Sequence, residues 1–201
     1  MKKFKDPRTF ECKNRDECCE RILASANDLI SEIGYEGMTM GMVAKRSGIS
    51  MKRLLSQFHN KQNVLDELVV CHINIHEGIR AFTRTNPRNS PLQSFRIEWE
   101  LLCEYMSHHV ATLQAYMRYE TDCAPWIRDR IELHRNQDID LLEKACNLGE
   151  LPPLNVASLE SVLRGTVWNL IFKSAQKKEK PVDFSSIPRE VSAMVLHPLM
   201  H

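Results

Sequence analysis

From Thr39 to Lys61 the chain carries five lysine or arginine residues and no aspartate or glutamate. A stretch with one sign of charge suits phosphate. Arg53 lies in its middle and can make a bidentate contact with a guanine edge. Lys61 follows Asn60, which can cap a helix, so a lysine stands beside the free amides of a helix N-terminus. That pairing makes a phosphate site. The chemistry on offer is recognition of a nucleic acid, with no bond made or broken.

Two short helices must position these groups. Thr39 is a good N-cap, because its side-chain oxygen can accept an amide hydrogen of the first turn. Met40, Val43 and Ala44 follow at three- and four-residue spacing and share one face. Gly48 stands where that helix must stop, since glycine tolerates a left-handed backbone. Ser50 caps the next helix, and Leu54 and Phe58 give it a buried stripe. Met51, Lys52, Arg53, Ser56 and Gln57 lie off that stripe and can face outward. The pattern predicts a helix-turn-helix.

The stretch resembles the N-terminal DNA-binding domain of the TetR family of bacterial repressors. The residues that carry the resemblance are Gly34-Tyr35, Thr39, Val43-Ala44, Ser47-Gly48-Ile49-Ser50, Leu54, Phe58, Lys61 and Leu65, spaced without a gap. The resemblance implies that the helix starting near Ser50 enters the major groove. It implies phosphate contacts at Thr39 and Lys61. It implies sequence reading by Met51, Lys52, Arg53, Ser56 and Gln57. The chain departs from the family pattern at Lys52 and Arg53, where small residues are usual. It departs again at Leu55, usually tyrosine, and at Gln57, usually aromatic. The implied operator is therefore unlike the common ones of the family.

The whole chain has 201 residues and a net charge of +1, but the charge is uneven. Residues 1 to 61 hold 12 Lys or Arg against 8 Asp or Glu, and the remainder holds 15 against 18. A basic head on a near-neutral body is the distribution of a DNA reader. No apolar run is long enough for a membrane helix, and no signal-peptide pattern stands at the N-terminus. A cytoplasmic protein is expected, with its seven cysteines as free thiols.

Periodicity predicts an all-α fold. Residues 1–61 read as an N-terminal arm and a three-helix head, and residues 62–201 as a body of about six helices for effector binding and dimerisation. Asn14 or Asp16 can cap the first helix, whose face is Ile22, Ala26, Leu29, Ile30 and Ile33. Leu65, Leu68, His72, Ile75, Ile79 and Phe82 predict one long helix after Asn60, able to link head and body mechanically. Ser90 and Pro91 start another helix, and Gly149 ends the helix that begins near Trp126. The segments Leu159–Ile171 and Ile187–Leu199 read as the dimer helices.

Trp99, Tyr105, Tyr116, Tyr119 and Trp126 concentrate aromatic surface in mid-body and are the candidate ligand residues. Core packing uses the same residue types, so each also reads as core. His72 and His76 are four apart on a helix, a spacing that can hold a metal. Cys71 points about 100° away from His72, so no third ligand is supplied, and no metal or other cofactor is expected. No nucleophile elbow, phosphate-binding glycine loop or His-Glu-x-x-His is present. A catalytic role is not expected.

These readings converge on a homodimeric transcriptional regulator that binds double-stranded DNA at an inverted repeat. The resemblance implies a repressor released by a small-molecule effector. The alternative is a helical small-molecule-binding protein whose head has lost sequence-specific DNA binding.

Overall fold

The computed structural model describes residues 16–176, and among them every regular element is helical. The order is α1 (Glu17–Gly37), α2 (Met40–Ser47), α3 (Met51–Gln57), α4 (Lys61–Arg84), α5 (Pro91–Ser107), α6 (Val110–Tyr119), a 3₁₀ turn (Glu120–Asp122), α7 (Pro125–Asn147) and α8 (Val156–Gln176). The N-terminal arm and the helix expected after Ser186 lie outside the described residues. No described helix is long and apolar enough to cross a membrane.

The described chain divides into two compact units. One holds residues 16–74 and 109–128, and the other holds 75–108 and 129–176. The first unit therefore takes in α6 as well as the three helices expected of the head. In this unit Asp16 caps α1 by accepting the Cys19 amide at 2.7 Å. Ile22, Leu23, Ala26, Leu29 and Ile30 are buried, as the four-residue spacing requires. Ile33 is 45% exposed, and Gly34 (φ 76, ψ 163) breaks the helical path directly after it. Tyr35 comes next and is buried instead, with its ring 4.8 Å from that of Tyr119 on the α6 side. Thr112 Oγ1 donates to Asn27 Oδ1 at 2.7 Å and ties α6 to α1.

The second unit has its core between α5, α7 and α8. Leu92, Phe95, Leu142, Ala145, Leu151, Val156, Leu159 and Leu163 form one buried cluster. Ser90 and Gln93 make a reciprocal capping box at the start of α5. Gly149, at φ 73, closes α7, and Glu150 N–H reaches Ala145 O at 2.9 Å. The stripe expected on α4 fails at Phe82, which is 56% exposed. Arg80 and Thr83 turn inward in its place.

Cys18, Cys19, Cys103, Cys123 and Cys146 are free thiols. Cys71 departs from the expectation and is disulfide-bonded.

Candidate nucleic-acid interface and body cleft

Helices α2 and α3 are set by their ends. Thr39 Oγ1 accepts the Met42 amide at 3.2 Å. Gly48 takes φ 67, and the Ile49 amide reaches back to Ala44 O at 3.1 Å. A Cβ at Gly48 would lie 2.8 Å from Arg21 Nη2. That guanidinium donates to Ser47 O and fastens the turn to α1. Ser50 Oγ accepts the Arg53 amide at 3.3 Å and starts α3. Leu54 and Phe58 are buried as the spacing requires.

What remains outside is the face expected to read DNA. Met51, Lys52, Arg53, Leu55, Ser56 and Gln57 are all exposed. Lys45 and Lys52 make no ion pair with any described residue. Arg46 is neutralised by Glu32 through two bonds of 2.8 and 2.7 Å. Ser56 Oγ donates to Arg53 O at 2.7 Å, leaving its lone pairs for an outside donor. Arg53 is exposed but leans back toward α1. Its Nε donates to Cys18 Sγ at 3.1 Å, and its Nη2 lies 3.6 Å from Asp16 Oδ2.

Lys61 is placed differently from the bare phosphate cation that its position suggests. Its Nζ donates to Tyr35 O at 2.9 Å and to Glu36 O at 3.4 Å. It also sits 4.3 Å from the Tyr35 ring centroid. A cation at a helix C-terminus meets the negative end of the helix dipole. An ammonium has three donors, so one stays available to a phosphate. Asn60 Oδ1 accepts the Asn63 amide at 2.9 Å and caps α4 beside it.

The five aromatic candidates are scattered. Tyr116 and Tyr119 belong to the first unit, and Tyr116 is buried. Tyr119 donates to Glu36 Oε1 at 3.0 Å. Trp126 is 48% exposed. In the second unit Tyr105 is buried, and Trp99 stacks on Phe95 at 6.1 Å. The Trp99 indole N–H is buried and has no acceptor among the described residues.

A cleft of about 660 Å³ opens elsewhere in this unit, and none of those five residues lines it. Its walls include Arg80, Arg84, Leu133, His134, Gln137 and Lys144. Behind it lies a buried charge network that sequence patterning did not reveal. Arg80 donates to Glu98 at 2.8 Å, to Gln137 at 2.9 Å and to Asp138 at 2.6 Å. Arg84 donates to Glu98 Oε2 at 3.1 Å and to Asp138 at 2.9 Å.

Burial opposes ionisation of Glu98, but the His76 hydrogen bond and the charges of Arg80 and Arg84 outweigh it and bring this carboxyl down to about 2. Burial pushes Asp138 up to about 6 against the same two cations, with Glu98 beside it. His76, Glu98 and Asp138 place ligand atoms within 4.8 Å of one another. Two guanidinium groups already balance the two carboxylates, so a divalent cation would add uncompensated charge to a buried site. His72 packs against His109 and His76 against His134, each with ring centroids 5.0 Å apart.

Residues 22–68 match the model of the family described as bacterial regulatory proteins, tetR family. The fold is shared with many solved structures. The ketosteroid transcriptional regulator KstR2 of Mycobacterium tuberculosis aligns over 93% of this chain and 97% of its own, with 20% identity and a TM-score of 0.73. The fatty acid degradation regulator FadR from Bacillus halodurans aligns over 92% of this chain and 97% of its own, with 19% identity and a TM-score of 0.77. AibR, solved in complex with isovaleryl coenzyme A and operator DNA, aligns over 89% of this chain and 98% of its own, with 15% identity and a TM-score of 0.69. No curated protein matches the chain.

Proposed function

We propose that this chain, a member of the TetR family of bacterial regulatory proteins, is a cytoplasmic repressor that releases its operator when a small molecule binds the body. The observation that carries the reading is the α3 face: Met51, Lys52, Arg53, Ser56 and Gln57 are exposed on a capped helix, in a stretch without acids from Thr39 to Lys61. Thr39 and Lys61 serve as phosphate contacts on either side of it.

The working form is a homodimer on an inverted repeat. A two-fold axis doubles the few base contacts that one head can make. Val162 is 54% exposed, and a Cβ on Gly165 would meet nothing within 4 Å. That face of α8 is open to a partner helix. The effector acts by binding two dimer states with different affinity. The cleft beside Arg80 and the unsatisfied Trp99 N–H support a ligand site in the body.

Binding to genomic fragments in the presence of competitor DNA tests the proposal. Arg53→Ala should weaken binding to a bound fragment more than to random DNA. Lys61→Ala should weaken both alike, because phosphate contacts carry no sequence information. Equal losses for Arg53→Ala would remove Arg53 from base reading. No fragment preferred over competitor would favour the rival reading, a helical small-molecule-binding protein whose head no longer reads sequence.

A further inference from the structure

Asp16 belongs to α1 by its position but meets α3 with its second oxygen. Oδ1 caps α1 through the Cys19 amide at 2.7 Å. Oδ2 accepts from Gln57 Nε2 at 3.3 Å and lies 3.6 Å from Arg53 Nη2. Arg53 and Gln57 are four apart and share one edge of α3, so one carboxylate holds both. Cys18 Sγ takes the Arg53 Nε hydrogen at 3.1 Å. The inner edge of the guanidinium, Nε with Nη2, is thus turned toward α1. The outer edge, Nη1 with the second Nη2 hydrogen, stays free. An arginine needs only one such edge to grip guanine.

We propose that Asp16 is a positioning residue for specificity: it holds Arg53 and Gln57 on α3 so that Arg53 presents its outer edge to a base and not to a phosphate. The inference rests on the reading of α3 as the DNA-reading helix.

An exposed ion pair on its own has little hold on a side chain. This one differs because the helix cap fixes the carboxylate before Arg53 meets it. Two physical effects then act together. A tethered Arg53 cannot swing to the nearest phosphate, which any sequence offers equally. The Asp16 carboxylate also repels phosphate and opposes indiscriminate docking. Removing it should raise affinity for scrambled DNA, leave affinity for the right sequence nearly unchanged, and so narrow the gap between them.

The test uses the full-length protein and two duplexes: one enriched by the wild type from a random-sequence pool, and one scrambled to the same composition. Asp16→Ser and Asp16→Asn both keep an N-cap acceptor, so α1 retains its start. Serine is too short to reach Arg53, and asparagine keeps the reach without the charge. Asp16→Ser should bind the scrambled duplex about three- to tenfold more tightly, with a salt slope steeper by about one phosphate contact. The ratio of enriched to scrambled affinity should fall by about the same factor, and Asp16→Asn should fall between. In an Arg53→Ala background, Asp16→Ser should leave the ratio unchanged. An unchanged ratio with Arg53 present, or an equal change without it, overturns the proposal. If the wild type enriches no sequence, the reading of α3 fails first and this inference falls with it.

Discussion

Arg80 on α4 and Glu98 on α5 form an ion pair of 2.8 Å with only 6% and 3% of their side chains exposed. Asp138 on α7 completes the arrangement at 2.6 Å from Arg80. Removing one partner of a buried pair leaves an uncompensated charge, at a cost of about 3–5 kcal/mol. Arg80→Ala should therefore lower unfolding free energy by about that amount in urea titration. A loss within about 0.5 kcal/mol, as a surface site gives, would show that the pair is hydrated and structurally idle.

Acid should weaken the fold through its histidines. Burial lowers His72, with His109 beside it, and lowers His76. Burial, with His76 and Arg80 nearby, brings His134 down to about 4 from the ordinary 6.5. The unfolded chain binds protons at these positions before the folded chain does. Their contribution is complete above about pH 6.5 and is lost as pH falls toward 4. Asp138 acts in the opposite sense, since its raised folded value favours the folded state as pH falls through about 6. Three groups oppose one, so the melting temperature should fall between pH 7 and pH 5, and His134→Gln should flatten the fall. A melting temperature that rises over this range would contradict the account.

Tyr116 and Trp126 are separated by their burial, 5% against 48% exposed. Tyr116→Ala should cost about 3–5 kcal/mol, as deletion of a buried ring does. Trp126→Ala should stay within about 0.5 kcal/mol. Thermal melts of the two variants, with ligand binding measured on each, distinguish packing from recognition. A Tyr116→Ala protein of normal stability that no longer binds effector would assign Tyr116 to the ligand site.

Much of the head was legible in the sequence because its signals are local. Thr39, Gly48 and Ser50 act within three or four residues of themselves, and Leu54 and Phe58 declare a stripe by spacing alone. The Gly34 break was partly legible, since glycine marked the end of the first amphipathic run. The inward turn of Arg80 was not, because it depends on Glu98 and Asp138, 18 and 58 residues away. A charged residue in a helix reads as a solvent face until its distant partners are known. Asp16 was legible as a cap and invisible as a partner of Arg53, for the same reason.

Selection of duplexes from a random-sequence pool by the purified protein tests the central claim most directly. An inverted repeat with half-sites about one helical turn apart should be enriched, with binding that weakens steeply as salt rises. Arg53→Ala should lose the enriched base step while retaining affinity for the scrambled duplex. A pool that stays random after repeated rounds, under conditions where the wild type is folded and dimeric, would contradict it.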